Sequence, residues 1–286
     1  MTAAALLHPD VSPNAIERFR SVSPTLQIRE NLEASGQTDA ALIFGGDGTV
    51  HRYLPQLRQF KIPALLVPKG SGNDFAKALG IGNKETALRA WKEFCATGKN
   101  VREIDLGIVR QGHTEIPFCC VVGTGLDAVA NARANRMPAW LRGSAGYLIA
   151  GLQSLASFQP VEFAVTAGGR EIRRAGYFVA AGNAHRYGGG MKVAPRAALD
   201  DGLLDVCVVG RMSKVKLLFC VPSIFFGAHL RIKQVEYFQT PSVGIASGRP
   251  LEVYADGEYA CQTPVEISLL PGALRVIVPG GATLGS

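Results

Sequence analysis

The sequence predicts a two-domain protein, with an N-terminal α/β domain carrying glycine-rich loops at residues 1–98 and a mainly antiparallel β-sandwich at 99–286. Two apolar strands near the start of the chain each run into a glycine-rich turn, which predicts the α/β domain. After Val101 helical periodicity thins and short β-rich runs follow, which predicts the sandwich. With 286 residues and 47% hydrophobic content, the chain can bury about two cores.

The first domain begins with a strand at residues 3–7, and Pro13 with Asn14 opens a helix that we expect to reach Phe19. A second strand follows at residues 25–30. Only residues 31–39 then separate it from the next strand, which is short for a parallel crossover helix. The front of this domain is therefore predicted to be abridged.

The first glycine-rich turn ends the apolar run at residues 41–44 and reads Gly45-Gly46-Asp47-Gly48-Thr49. Glycines let the backbone take positive φ and approach a ligand, and Thr49 is predicted to cap the following helix, in which Pro55 should cause a kink or an early end. Exposed N–H groups at a helix start attract phosphate, and Asp47 among them needs a metal, a hydroxyl or a donor. The alternative is a tight turn in which Asp47 is only a cap.

The second glycine-rich turn repeats this arrangement after a strand at residues 62–67. Asn73 or Asp74 is predicted to cap the next helix, and Gly80 to end it. Because neighbouring strands of an open α/β sheet bind ligands at their carboxyl edge, both turns together predict a nucleotide site. The candidate residues of the second turn are Gly70, Ser71, Gly72, Asn73 and Asp74.

The second domain follows a helix predicted at residues 84–97, with the boundary near residue 99. Helical intervals are predicted near 139–157 and 213–229, and the extreme C-terminus is left free to return to the first domain. The predicted β-rich runs are 101–109, 116–122, 161–166, 171–181, 203–209, 251–255, 264–269 and 274–278.

Net charge and cysteine spacing indicate which partners the protein binds and in which compartment it lies. The net charge of +7 comes from dispersed Lys and Arg without a basic block, which argues against nucleic acid. Six cysteines without metal or CxxC spacing predict reduced thiols in a cytoplasmic protein, and the N-terminus lacks the pattern of a signal peptide.

The longest apolar segment, residues 217–230, contains Pro222 and is shorter than the roughly 20 residues of a membrane span. Lys214 and Lys216 precede it, and Arg231 and Lys233 follow it. These basic flanks suit a helix lying on a membrane surface, and a buried core helix is the alternative.

The sequence resembles the diacylglycerol kinase catalytic domain family, the lipid kinases that include bacterial diacylglycerol kinases and sphingosine kinases. The resemblance covers nearly the whole chain from residue 39. It rests on GGDGT at 45–49, VPKGSGNDFAKALG at 67–80, IDLG at 104–107, GTGLDA at 123–128, GGGMKVAPRAALDDGLLDV at 188–206, DGE at 256–258 and TPVEISLLPGALRVIVP at 263–279.

The resemblance implies ATP and Mg²⁺ in a cleft between two domains and transfer of phosphate to a lipid hydroxyl. It implies that Asp47 and the surrounding glycines hold the nucleotide phosphates and metal, that Asp256 is the general base, and that Glu258 is a metal or positioning carboxylate. Asp201 would be a structural Mg²⁺ ligand with the carbonyls of Ala198 and Leu203. From the residues alone, Asp201 could instead form an Asx-turn and Asp256 a plain hairpin turn.

Two stretches depart from the family pattern. Residues 8–13, His-Pro-Asp-Val-Ser-Pro, stand where the family has an Asn-Pro-x-x-Gly loop, and Lys69 stands where an apolar or small residue is usual. The leading hypothesis is an ATP-dependent lipid kinase at the inner face of the cytoplasmic membrane, with a diacylglycerol-like or sphingoid acceptor. A silent lipid- or nucleotide-binding protein and, less favoured, an NAD kinase are the alternatives, and a homodimer is left open.

Overall fold

The structure is a computed structural model that describes residues 2–32, 38–70, 72–137, 144–282 and 284, with the side chains of Pro13 and residues 144–148 left out of the description. Fifteen strands of these residues form one continuous hydrogen-bonded sheet. The two halves of this sheet differ in how their strands pair. The N-terminal strands are parallel, and the strands of the second half are almost all antiparallel. The predicted combination of an α/β domain and a β-sandwich-like domain is confirmed.

The N-terminal half is a parallel sheet in the order β2-β1-β3-β4, with helices packed against it. The register places Gly45 at the end of β3 opposite Pro68 at the end of β4, so both glycine-rich turns leave the same edge. The elements are β1 Ala3–Leu7, a 3₁₀ turn Pro13–Ile16, α1 Glu17–Arg20, β2 Leu26–Arg29, β3 Ala40–Gly45, α2 Asp47–Phe60, β4 Ala64–Pro68, α3 Asp74–Ala78 and α4 Lys84–Thr97.

Helix α2 differs from the prediction at its start and in its middle. Its N-cap residue is Gly46, without a side-chain cap, so the predicted cap by Thr49 is wrong. Thr49 lies inside the first turn, where its side chain packs over Gly45, and a Cβ at Gly45 would lie 2.3 Å from the Thr49 hydroxyl. Pro55 does not end the helix, which continues to Phe60.

The second half is antiparallel in the order β14-β13-β7-β9-β8-β12-β15, with β10 and β11 added beside β9 and β5 and β6 beside β15. Its elements are β5 Val101–Gln111, β6 Thr114–Phe118, β7 Val121–Gly125, α5 Leu126–Asn135, α6 Ser144–Ser157, β8 Val161–Ala167, β9 Arg170–Gly182, β10 Leu204–Gly210, α7 Lys214–Phe225, a 3₁₀ turn Ala228–Arg231, β11 Val235–Thr240, β12 Ser242–Ser247, β13 Glu252–Ala255, β14 Glu258–Gln262 and β15 Val265–Ile277.

Strand β15 joins the two halves. It pairs with β5 along most of its length, and near its end Val276 pairs in parallel with Ala64 of β4. Val278 follows β15 directly, and its carbonyl accepts from the side chain of buried Asn100 at 2.9 Å. The same Asn100 side chain donates to the carbonyl of Ala90, also at 2.9 Å. The C-terminal strand therefore extends the parallel sheet and fixes the glycine-rich edge relative to the second half.

Candidate active site

The two glycine-rich turns touch each other through their backbones. A Cβ built on Gly70 would lie 2.9 Å from the Cα of Gly46, so a side chain at Gly70 would push the turns apart. Asn73 fixes the second turn, because its Oδ1 accepts the N–H of Gly70 at 2.9 Å and its Nδ2 donates to the Gly70 carbonyl. Asn73, one of the two predicted caps, occupies the N-cap position of α3, but its side chain makes no cap hydrogen bond to that helix. Ser71 lies outside the described residues.

Asp47 caps α3 from the other turn. Its two carboxylate oxygens accept the N–H groups of Asp74 at 3.0 Å and Phe75 at 3.1 Å. Burial, and after it the nearby Asp74 carboxylate, raise the pKa of Asp47 to about 6, although the two N–H donors oppose the shift. Asp47 is thus a cap, as the alternative interpretation supposed, although it caps the helix of the neighbouring turn.

Asp74 lies beside Asp47 with one oxygen unused. Its side chain is buried, with 3% of the residue exposed, and Oδ2 accepts the N–H of Gly189 from the second half at 2.7 Å. Its Oδ1 is buried and has no hydrogen-bond partner among the described residues. An unpaired carboxylate oxygen next to a second carboxylate is costly unless a cation or a donor joins it. The pair therefore fits a divalent cation that a bound nucleotide would share.

Asp256 occupies the turn between β13 and β14. Its φ of 51° and the φ of 86° at Gly257 are those of a type I′ hairpin, so the turn interpretation describes the backbone correctly. Its carboxylate also accepts three backbone N–H groups, from Cys119 at 2.7 Å, Cys120 at 2.8 Å and Val121 at 3.1 Å. These bonds hold a nearly buried carboxylate in one orientation at the wall of the cleft.

A cavity of about 750 Å³ brings these groups together between the two halves of the chain. Glu258 faces the first turn across it, because a Cβ on Gly48 would lie 3.0 Å from the Glu258 Oε1. The predicted residues that line the cavity are Gly45, Gly46, Asp47, Gly48, Thr49, Gly70, Gly72, Asn73, Asp74, Asp256 and Glu258.

The end of β1 and Lys69 form another part of the cavity wall. The family has an Asn-Pro-x-x-Gly loop at this position. Here the cavity is lined instead by His8, Pro9, Asp10 and Val11. The ammonium of Lys69 donates to the Asp10 carbonyl at 3.3 Å, so this side chain ties the altered segment to the second turn. A cation here adds positive charge to the site where phosphates are expected.

Helix α5 contributes site residues that the sequence analysis missed. Asn131 and Asn135 line the cavity, and the Asn135 side chain donates to the Gly257 carbonyl at 2.8 Å. With Asp127 they recur every four residues, which places them on one helical face. That spacing in an alanine-rich segment was the signal available from the sequence.

A second, apolar cavity of about 80 Å³ lies among α5, α6 and α7. Tyr187 lines both cavities, and its hydroxyl donates to the carboxylate of Asp127 in the wall between them. The apolar lining consists mainly of Leu126, Ala130, Leu152, Leu155, Phe178, Met191, Val193, Leu217, Val221 and Ile224. Tyr187 therefore separates the small apolar pocket from the larger, nucleotide-sized cleft.

Asp201 lies in an exposed turn apart from this cluster. Its Oδ1 accepts the Leu203 N–H at 3.0 Å, as in an Asx-turn, while the adjacent Gly202 N–H donates to Asp105 at 2.7 Å. Within the described part of the chain, no group of three or more His, Cys, Asp or Glu residues is arranged to hold a metal ion. A structural metal at Asp201, with the carbonyls of Ala198 and Leu203, stays a prediction.

A nucleotide-sized cleft between a parallel α/β domain and an antiparallel β-domain, lined by two glycine-rich turns and several carboxylates, defines a two-domain kinase. The model of the diacylglycerol kinase catalytic domain matches residues 13–109, and that of the YegS C-terminal NAD kinase beta sandwich-like domain matches residues 120–278. The chain belongs to the diacylglycerol kinase catalytic domain family.

One relative supports this assignment by sequence, and a solved structure shares the fold. A diacylglycerol kinase of Mycobacterium tuberculosis (strain ATCC 25618 / H37Rv) is 38% identical over 250 residues, which cover 85% of this chain and 77% of the relative. The crystal structure of a diacylglycerol kinase from Bacillus anthracis str. Sterne superposes with a TM-score of 0.77 at 22% identity, covering 99% of this chain and 98% of that one.

An NAD kinase from Archaeoglobus fulgidus, solved in complex with ATP, also shares the fold. Its TM-score is 0.57 at 12% identity, with 98% of this chain and 94% of that chain covered. This likeness concerns the fold alone. The resemblance to lipid kinases drawn from the sequence motifs is confirmed.

Proposed function

We propose that this protein is an ATP-dependent lipid kinase that transfers the γ-phosphate to a hydroxyl of a diacylglycerol-like lipid. The observation that carries the proposal is the cavity of about 750 Å³ in which Asp47 and Asp74 face Asp256 across one space. The 38% identity to a diacylglycerol kinase supports diacylglycerol as the first acceptor to test. A sphingoid base is the second.

The glycine-rich turns are assigned to the phosphates and the carboxylates to charge and proton handling. Mg²⁺ commonly binds one or two carboxylates together with substrate phosphates, and Asp47 with the unpaired Asp74 Oδ1 fits that role. When bound, the ion would neutralise charge that develops on the transferring phosphate. Asp256 would accept the proton of the lipid hydroxyl, held in place by its three N–H donors. Glu258 would help to orient the acceptor.

The apolar cavity among α5, α6 and α7, with a volume of about 80 Å³, is assigned only to the part of the lipid chain nearest its reacting hydroxyl. The same helices expose apolar side chains to solvent, with Phe219 77% and Phe226 82% exposed on or just after α7. Lys214 and Lys216 begin α7, so apolar and basic groups are combined as on a membrane-binding surface. Among the described residues, no helix has both the length and the apolar character to cross a bilayer.

Membrane contact through α7 is tested with the double variant Phe219→Ser/Phe226→Ser. Phe225, the other phenylalanine in the segment, packs against the core and is unsuitable. Each buried Phe contributes about 1.5–3 kcal/mol, so co-sedimentation with anionic vesicles should weaken by tenfold or more per residue. Ile28→Ser, at an exposed apolar residue of β2, is the matched control and should bind normally. Equal vesicle binding by the wild type, the double variant and Ile28→Ser would show that α7 does not contact the membrane.

The activity itself is tested by transfer of labelled phosphate from ATP to separate acceptors. We expect label in diacylglycerol or a sphingoid base when Mg²⁺ is present and little label in NAD. Transfer to NAD alone would replace the proposal by an NAD kinase. No transfer to any acceptor, with ATP still bound, would favour a silent nucleotide-binding protein.

Two further assignments concern the location of the protein and its assembly. All six cysteines are free, which suits the predicted position at the cytoplasmic face of a membrane. A homodimer stays a prediction. Both belong to the proposal and are independent of the transfer assay.

A further inference from the structure

His51 lies on α2, one turn after the Asp47 that begins the helix. Its Nδ1 is 3.6 Å from the Oδ2 of Asp256, and the two side chains are 17% and 5% exposed. This Nδ1 is buried and has no hydrogen-bond partner among the described residues. A buried imidazole nitrogen normally has a partner, and the carboxylate that it faces is just beyond hydrogen-bond distance.

The two residues differ in their access to the cleft. Asp256 lines the large cavity, whereas His51 is absent from its wall although Thr49 and Arg52 on the same helix belong to it. The imidazole lies next to the carboxylate and does not itself line the cleft. We therefore infer a role for His51 that is exerted through Asp256.

The contacts of Asp256 leave one direction open. Oδ1 accepts the N–H groups of Cys120 and Val121, while Oδ2 accepts only that of Cys119. His51 approaches this less occupied oxygen. Burial lowers the pKa of His51, but Asp256 and then Glu258 outweigh it, so the pKa is raised above its ordinary value and the imidazole keeps its protons more readily.

We propose that His51 is a positioning residue for phosphoryl transfer, which donates from Nδ1 to Asp256 and fixes the oxygen that receives the substrate proton. The inference rests on the proposed function, with Asp256 as the base. The lipid oxygen forms a bond to the γ-phosphorus, the bond from that phosphorus to the β-phosphate oxygen breaks, and ADP leaves. The hydroxyl proton passes to Asp256 and then to water, and His51 exchanges none.

The test compares two substitutions of similar size and different chemistry. His51→Leu fills the space without a donor, and His51→Asn can place its amide N–H near the position of Nδ1. A base that is mispositioned by about 1 Å loses on the order of a hundredfold, so the Leu variant should lose roughly ten- to a hundredfold in kcat. The KM for ATP should stay within about twofold, because the phosphate turns are untouched. The Asn variant should recover most of the loss.

Gln59→Ala is the matched control, because Gln59 is exposed on the same helix and outside the cavity wall. It should show wild-type kinetics. If the Leu variant fails to fold, as judged by its melting curve, His51→Ala replaces it. The purified chain, Mg-ATP and diacylglycerol in mixed micelles are used throughout.

Two outcomes overturn the inference and are distinguishable from failure of the proposed function. The first outcome is a wild-type kcat in a folded His51→Leu or His51→Ala variant together with a strongly reduced kcat in Asp256→Asn. That result would show that His51 has no role in positioning, while Asp256 remains the proposed base. An equal loss in the Leu and Asn variants would also overturn it, because a donor alone would not restore positioning. Near-normal turnover in the Asp256→Asn protein as well would sink the proposed role of Asp256 itself.

Discussion

Asp47→Asn is expected to abolish ATP-dependent phosphoryl transfer in a protein that remains folded. The substitution removes the negative charge proposed to share a divalent cation with Asp74, and it keeps the size of the side chain. The amide oxygen can still accept one of the two N–H groups that the carboxylate binds at the start of α3. Loss of a preorganised charged group at a reaction centre costs about 10²–10³-fold, so the transfer rate should approach background.

The same variant gives an independent signature in pH-dependent melting. The folded-state pKa of Asp47, about 6, lies above its ordinary value of 3.8. The folded state therefore binds this proton more tightly, so the favourable contribution is present below about pH 4 and is lost as pH rises through about 6. Without metal or nucleotide, the Tm of the wild type should fall relative to the Asp47→Asn variant as pH rises across that window.

Glu266→Gln is the matched control for charge removal, because Glu266 is an exposed residue on β15 with no proposed role in the cleft. It should leave transfer unchanged, and its melting curves over the same pH range are the reference for removal of one exposed carboxylate. A constant difference for Asp47→Asn would contradict the raised pKa of Asp47. Unchanged transfer in a folded Asp47→Asn protein would remove the first turn from the active site.

The glycine-rich turns were predictable from sequence because their determinants are local. An apolar strand, closely spaced glycines and a following helix all lie within a few residues, and their pairing on adjacent strands follows from parallel topology. Helix caps were less predictable. Thr49 and Asn73 have the residue types that cap helices, yet Asp47, far from α3 in the sequence, supplies two acceptors to that helix.

Helix α5 shows a different limit. Its sequence, Leu-Asp-Ala-Val-Ala-Asn-Ala-Arg-Ala-Asn, has little contrast between faces, so apolar periodicity does not reveal it. The helix has Asp127 and Asn131 buried, and Asn135 bound to the Gly257 carbonyl. Asn131 and Asn135 on its polar face line the cleft. A pattern search that assumes an apolar buried face cannot detect such a helix.

Asp256 combines a local and a distant determinant. The Asp-Gly pair predicts a hairpin turn, and the structure contains one. The orientation of its carboxylate depends on N–H groups more than 130 residues earlier in the chain, and His51 of the other domain lies beside it. Those contacts exist only after β13 pairs with β7, so sequence spacing alone cannot predict them.

Asp256→Asn is expected to reduce kcat by about 10²–10⁴-fold, the usual contribution of a positioned general base. Asn is the suitable replacement because φ at this residue is 51°, a left-handed conformation that Asn tolerates and most other residues do not. Its amide oxygen can keep the bonds from Cys120 and Val121. Its NH₂ group would then face the N–H of Cys119, so a modest fall in Tm should accompany the loss of activity.

The measurement is steady-state transfer to diacylglycerol, with ATP affinity determined separately by calorimetry. ATP affinity should change little, because the phosphate turns belong to the first domain and Asp256 reaches the cleft from the second. Glu252→Gln, an exposed carboxylate on the same hairpin, is the control and should be fully active. Near-normal turnover in a folded Asp256→Asn protein would mean that another carboxylate takes the proton or that a largely dissociative transfer needs no base, since such a transition state leaves the hydroxyl proton in place until late.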